Sequence, residues 1–181
     1  MEMLHRCAAI NQVMEVRVLT RADAKLFFER RLEALEHEPR AFGASVEEDR
    51  ALPLETVATR LEAKPDGAFV VGAFVDGALA GMAGFYREER LKTRHKGFIW
   101  GVYVAPHYRR QGIARRMLAV VIERLRTYLD LDHVVLHVST DRDAPRRLYA
   151  SLGFETIGCE RRAFKIDDEY VDQEQMVLWL S

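Results

Sequence analysis

Cysteine is scarce in this 181-residue chain: Cys7 and Cys159 are the only two. They offer neither a disulfide framework nor metal-ligand spacing, and such scarcity suits a reducing compartment, so a cytoplasmic protein is expected. No apolar run approaches the roughly 18 residues that a membrane span requires. Charge of either sign is not in excess, with 27 Lys and Arg against 28 Asp and Glu and a net charge of −1. Neither nucleic acid nor an anionic membrane surface is therefore expected as a partner. The chain lacks G-x-x-x-x-G-K-[ST], G-x-G-x-x-G and G-x-S-x-G, which removes a Walker A loop, a dinucleotide fingerprint and a serine-hydrolase elbow. His133 and His137 stand four apart, but on a strand that separates them by about 13 Å, too far to share a metal ion. No metal is expected. Repeats, low-complexity tracts and linkers are also absent. The opening "MEMLHRCAAINQV" has no uninterrupted apolar core of a signal peptide, so residues 1–13 are expected to form a flexible leader and 14–181 a single domain.

What is present is an ordinary globular balance, 49% hydrophobic and 30% charged. "MEVRVLT" (14–20) alternates as a strand does, and Thr20 with Asp23 opens a helix running to about Leu35. Pro39 and Gly43 break it, and Ser45 with Glu48 forms a second capping pattern leading to a short helix over 54–63. "AFVVGAF" and "ALAGMAGFY" flank Val75-Asp76-Gly77, a hairpin whose Asp-Gly pair suits a type I′ turn. The charged stretch 87–96 reads as a solvated loop. The strand "GFIWGVYVAP" (97–106) sets Phe98, Trp100, Val102 and Val104 on one face against Ile99, Gly101 and Tyr103 on the other. Gly101 marks either a bulge or packing against an aromatic. A helical stripe then runs from Gly112 to about Leu129, followed by a strand at 133–139 and a helix at 144–152 that Gly153 closes. Strands at 154–159 and 175–180, joined by a charged turn region, end the chain. The order predicts an α/β (α+β) domain around a mostly antiparallel sheet with at least one parallel crossover.

The stretch "RRQGIARRML" (109–118) stands where a strand hands over to a helix. A helix N-terminus leaves up to four N–H groups unpaired and carries about half a positive charge, which makes it an anion site. Gly112 and Ala114 keep the approach clear, and Arg109, Arg110, Arg115 and Arg116 add charge-assisted donors. A pyrophosphate suits such a place; a solvated loop with a turn glycine is the plainer alternative.

Arg109-x-x-Gly112-x-Ala114 resembles the acetyl-CoA loop of the GNAT superfamily of N-acetyltransferases. "VYVAPHYRRQGIARRML" looks like that family's strand, proline and helix, and "RRLYASLGF" (146–154) resembles its later LY-x-x-x-GF signature. Together these segments occupy 97–154, about a third of the chain. The resemblance implies a sheet of six to seven strands flanked by about four helices and splayed between the fourth and fifth strands. It implies acetyl-CoA as cosubstrate, with its pyrophosphate on the main chain at about 110–114, so that Arg109, Arg110, Gln111, Gly112, Ile113, Ala114 and Arg115 become the binding set. The pantetheine arm would pair with the strand at Val102, Tyr103 and Val104, and Gly101 would bulge it open.

Acetyl transfer to an amine needs a neutral amine, a stabilised oxyanion and a protonated leaving thiolate. At pH 7 only on the order of one lysine-like amine in a few thousand is neutral, so a base or a desolvated site must supply the rest. The resemblance implies an oxyanion contact from a strand N–H near Val102 and places the thiolate's proton donor at Tyr149; a core tyrosine beside Leu148 is the plainer reading of that residue. Where the family often has asparagine, seven residues before this tyrosine, the chain has Arg142 between Asp141 and Asp143. Position 98, where an acidic base would stand, holds Phe98. Glu47, with Glu48 and Asp49, lies in the region that lines the family's acceptor site and is the candidate base; Glu88, His95, Tyr103 and Tyr170 are lesser ones. The expected activity is acetylation of a primary amine, a small molecule in preference to a protein N-terminus or lysine. A CoA-binding regulatory module without turnover is the alternative. A nucleic-acid surface built from Arg109, Arg110, Arg115, Arg116, Arg146 and Arg147 is disfavoured by the net charge. Members of the family are often dimers, so a homodimer is a further expectation.

Overall fold

A computed structural model describes residues 13–180, so the leader expected over 1–13 lies outside the described residues save for Val13. Seven strands form one sheet in the order β1-β2-β3-β4-β5-β7-β6. They are β1 (Met14–Val18), β2 (Phe69–Val75), β3 (Ala78–Arg87), β4 (Lys96–Val104), β5 (His133–Ser139), β6 (Glu155–Ile166) and β7 (Glu169–Trp179). Every pairing is antiparallel except β4 with β5. Helices α1 (Ala24–His37), α2 (Val46–Arg50) and α3 (Leu54–Arg60) precede β2; α4 (Ile113–Leu125) is the crossover between the parallel strands, and α5 (Asp143–Ser151) follows β5. The expected mixed sheet, its parallel crossover and its helical complement are all present.

Two apolar layers sandwich the sheet. On one face α4 buries Ile113, Met117, Leu118, Val121, Ile122 and Leu125 against Val71, Phe85, Ile99 and Val134. Each such side chain contributes about 1.5–3 kcal/mol through the area it removes from water. On the other face α1 and α3 bury Phe27, Ala34, Val57 and Leu61 against Val70, Leu79, Met82 and Tyr103. The entry to α1 is fixed by Asp23, whose carboxylate accepts from the Thr20 main chain at 2.8 Å and from Arg17 at 2.7 and 2.8 Å.

Several boundaries differ from the sequence reading. Ser45 and Glu48 cap a separate helix, α2, rather than the one that begins after Pro53. The supposed turn region between 159 and 175 is itself strand: β6 and β7 run on to a two-residue turn at 167–168. β6 is exposed along nearly its whole length, so no apolar alternation marks it. The Asp76-Gly77 turn is as expected, with φ of 49° and 84°.

Gly101 is the bulge and has a larger effect than expected. Met82 pairs with Tyr103 but Gly84 with Trp100, so Gly101 and Val102 together oppose Ala83. Gly101 has φ +66°, a left-handed conformation that glycine adopts without a Cβ penalty. The extra residue reverses the alternation. Trp100 and Tyr103 face the α1 layer, while Ile99, Val102 and Val104 face α4. The sequence grouping of Trp100 with Val102 and Val104 is thereby corrected. Gly84 and Gly97 are the glycines that do pack against aromatics: a Cβ would fall 2.2 Å from the Trp100 ring at Gly84 and 2.4 Å from the Phe85 ring at Gly97.

Candidate functional site

β4 and β5 are in register only at Lys96, Gly97 and Phe98 against His133, Val134 and Val135. Beyond that they part. The bulge bends β4 away, and a cleft of about 370 Å³ opens between the strands. Val102 to Val104 form one wall, Leu136 to Ser139 the other, and Tyr149, Leu148 and Arg142 of the α5 segment close it on the α4 side. Glu38 and Phe42 border it on the α1 side.

The main chain of β4 is left able to pair across this gap. Ala105 donates to Ala80 of β3 at 2.9 Å, so strand alternation turns the main-chain groups of Val104 and Val102 toward the cleft. Of these, the Val104 carbonyl already accepts from Arg109 Nε at 2.9 Å. The expected pairing at Val104 therefore falls to its N–H. Tyr103, also expected to contact a ligand, points the other way. It is buried, its hydroxyl donates to Glu33 at 3.0 Å, and burial with the adjacent Glu33 charge pushes it up to about 12. It is no base at neutral pH.

At one end of the cleft stands the N-terminus of α4. Gly112 is its N-cap residue, with φ +77° and no side-chain cap. The first main-chain acceptance, by the Gly112 carbonyl, comes from Arg116 at 3.0 Å, so the N–H groups just before Arg116 have no partner within the helix. A Cβ at Gly112 would meet nothing within 4 Å, meaning the approach to those groups is open. Ile113 contributes only its N–H, since its side chain is in the core. Arg109 and Ala114 line the cleft; Arg110, at φ +64°, and Gln111 are exposed beside it. Arg115 is held on Ser151 at 2.6 Å. A loop of open N–H groups rimmed by guanidinium groups fits an oligophosphate, and the narrow slot between strands fits an extended chain leading away from it.

Tyr149 lies on the cleft wall and is 7% exposed. Its ring packs edge-on against Phe154 at 5.9 Å, and no described residue hydrogen-bonds its hydroxyl. Burial pushes its pKa upward, which keeps the phenol protonated and able to donate.

Sequence reasoning missed the role of the segment after α1. The Glu38 carboxylate bridges Arg109, at 2.9 Å, and Arg142. Arg40 reaches Asp141 at 2.7 Å and Glu169 at 2.8 Å, and its carbonyl accepts from Ser139. Residues 38–42 thus strap the α1 side of the cleft to the β5 half of the sheet. Arg142 does line the cleft, but its guanidinium is paired; neither neighbouring aspartate replaces it, since Asp143 is turned to Arg146. The pairing of Glu38 with two arginines more than 70 and 100 residues away leaves no local signature.

The acidic run 47–49 is not in the cleft. Glu47 is exposed on α2. Glu48 caps that helix and is lowered by the Ser45 hydrogen bonds. Asp49 is held by Arg31 at 2.8 Å, whose guanidinium stacks on Phe42 and Trp100. Glu88, His95 and Tyr170 also lie away from the cleft; His95 stands beside His133 and Tyr170 beneath Arg162. His137, set aside above as a metal ligand, does line it. Among the described residues no cluster could hold a metal ion, and no helix is long and apolar enough to cross a membrane.

Comparisons with known proteins agree with this geometry. The Acetyltransferase (GNAT) family model matches residues 27–154. The N-alpha-acetyltransferase RimI of Mycobacterium tuberculosis is 35% identical over 96 residues, which span 53% of this chain and 58% of that relative, so a little over half of its length is matched. An acetyltransferase of the GNAT family from Streptococcus pneumoniae superposes with a TM-score of 0.82 at 21% identity, over 93% of this chain and 100% of its own. The yncA protein of Salmonella typhimurium, solved with its cofactor acetyl-CoA, superposes with a TM-score of 0.79 at 23% identity, over 93% and 94%.

Proposed function

Because the chain belongs to the acetyltransferase (GNAT) family, we propose that it transfers an acetyl group from acetyl-CoA to a primary amine by direct attack. The observation that carries the proposal is the cleft between β4 and β5, with an uncapped, glycine-opened helix N-terminus at one end and a protonated tyrosine on its wall.

The N–H groups at 112–115 would hold the pyrophosphate, with Arg109 and Arg110 adding charge from the rim. Val102 and the N–H of Val104 would pair with the pantetheine amides as a neighbouring strand does. When bound, acetyl-CoA supplies an activated acyl group on a leaving thiol. Val102 is placed to donate its N–H to the carbonyl oxygen as charge develops there, a main-chain role that costs no reorganisation. Tyr149 donates its phenolic proton toward the departing sulfur. Burial that raises the phenol also destabilises a thiolate in the same cleft, so the two proton affinities rise together. Arg142, paired with Glu38 at the edge of the cleft, positions the α5 N-terminus.

The acceptor enters from the α1 side, past Phe42 and Trp100. The strap at 38–42 narrows that entrance, which supports a small amine. The name of the RimI relative supports a protein α-amine as the second reading. The 14–181 stretch acts as one domain, and the exposed free thiol of Cys159 suits action in the cytoplasm.

The test is calorimetric titration with acetyl-CoA beside a thiol-release assay over small amines, free-amino-terminal peptides and lysine peptides. Binding with release supports transfer and identifies the acceptor class. Binding without release on every class favours a CoA-binding module; no binding defeats the assignment of 109–115.

A further inference from the structure

The proposed transfer leaves one proton unassigned, that of the attacking amine. Among the described residues six titratable side chains line the cleft: Glu38, Tyr103, Arg109, His137, Arg142 and Tyr149. The two arginines stay charged and only donate. Tyr103 is protonated and turned to Glu33. Tyr149 serves the sulfur. Both carboxylate oxygens of Glu38 are engaged, Oε1 by Arg109 and Oε2 by Arg142. His137 is what remains: exposed, open to the cleft, and carrying the side chain whose ordinary titration lies nearest neutrality.

Its place in the sheet is the second argument. Val134, Leu136 and Val138 of β5 pack into the α4 layer with Tyr149. Alternation sends His137 to the opposite face, with Ser139, toward the strap. The proton donor for sulfur and this imidazole therefore stand on opposite faces of the sheet with the slot between them. That arrangement suits direct attack, with the amine arriving from one face and the thiol leaving through the other.

We propose that His137 is the general base that accepts the proton of the acceptor amine. The proposal rests on the acetyl-transfer reading above. The amine lone pair forms the C–N bond to the thioester carbonyl carbon, and the C–S bond breaks with its electron pair going to sulfur. The nitrogen proton passes to the imidazole and the Tyr149 proton to sulfur. His137 then releases its proton to solvent and Tyr149 regains one, leaving an amide and a thiol.

The groups around His137 are uncharged or ion-paired. Phe98 meets it edge-on at 6.3 Å from β4, and the uncharged Gln175 is opposite on β7. Glu38 faces the cleft already neutralised by two arginines, and Arg40 on the strap is tied to Asp141 and Glu169. Along the strand the nearest ionisable groups are His133 and its partner position Lys96, four residues away.

The test compares His137→Ala and His137→Gln with the unaltered chain, using acetyl-CoA and the amine that gives thiol release. Measured are kcat/KM between pH 5.5 and 9.5, acetyl-CoA affinity by calorimetry, and melting temperature. The unaltered protein should lose activity through one acidic limb. Both variants should lose about 100-fold or more at pH 7.5 with that limb displaced, while acetyl-CoA affinity stays within about twofold. Added imidazole should restore part of the activity of the alanine variant. Variants that retain activity with the same limb, or that lose affinity and turnover together, overturn the assignment of His137 while leaving the transferase reading in place. Absence of thiol release from the unaltered chain with every amine overturns both.

Discussion

Tyr149→Phe isolates one hydroxyl. No described residue hydrogen-bonds that hydroxyl, and the ring keeps its edge contact with Phe154 at 5.9 Å. Removing it therefore leaves no orphaned partner, and the stability change should stay within about 1 kcal/mol. Its catalytic cost is of a different size. A positioned general acid contributes about 10²–10⁴ in rate, equivalent to roughly 3–5 kcal/mol of barrier. Acetyl-CoA affinity should change less than about threefold, because the binding energy is expected at 109–115 and along β4. Burial pushes the Tyr149 pKa upward, so the ratio of rates should be flat from pH 7 to 9. Single-turnover thiol release at saturating acetyl-CoA gives the rate, and calorimetry gives the affinity. A variant with unchanged turnover, or one that loses rate and affinity in equal measure, would refute the proton-donor role and mark Tyr149 as a packing residue.

Gly112→Val places a Cβ where φ is +77° and should cost about 1–2 kcal/mol of stability; its side chain over the open N–H groups should weaken acetyl-CoA binding at least tenfold by calorimetry. Asp23 is held at about 2, mainly by the hydrogen bonds from Arg17, against about 3.9 in an unfolded chain. Its folded pKa is depressed, so the contribution is full above about pH 4 and disappears as pH falls through about 2. Asp23→Asn should cost about 2 kcal/mol in urea unfolding at pH 7 and flatten the pH dependence of stability between 4 and 2. Gly84→Ala forces a Cβ to 2.2 Å from the Trp100 ring; overpacking of about 1–3 kcal/mol should lower the melting point and shift the tryptophan fluorescence.

Some of this architecture could be read from the residues and some could not, for identifiable reasons. α4 was legible because a stripe with helical spacing faces one core, and the Asp76-Gly77 hairpin because few residues accept two positive φ angles. The uncapped N-terminus of α4 was legible because a turn glycine stands directly before the helical stripe. β6 was not, since an exposed edge strand has no buried face to pattern it. The bulge at Gly101 was anticipated, yet its reversal of Trp100 relative to Val102 depends on the register with β3, which the sequence of β4 alone does not contain. Glu38 and His137 were hidden for a related reason. What brings them to the cleft is the convergence of α1, β5 and α5, and charge near Ser45 drew attention to Glu47, whose side chain is exposed on α2. An acidic residue next to an expected acceptor site is weak evidence until the arginines that could neutralise or displace it are located.

The parallel ladder between β4 and β5 is three residues long, and that brevity makes the sheet mechanically two pieces. One piece is β1 to β4; the other is β5, β7 and β6. Beyond Phe98 they are joined through side chains: the apolar layer under α4 on one face, and on the other the ion pairs of Glu38 and Arg40 with the far half. A bound molecule that pairs with both edges of the gap would act as the missing rung. Its concentration then becomes part of the folding equilibrium: at 100 times its dissociation constant it should add about 2.7 kcal/mol to global stability. Amide exchange should slow most along the facing edges of Val102 to Val104 and Leu136 to Val138, and least in the hairpin of β6 and β7. Salt, by weakening the exposed ion pairs that do the same stitching from outside, should loosen the hinge of the empty protein more than that of the filled one.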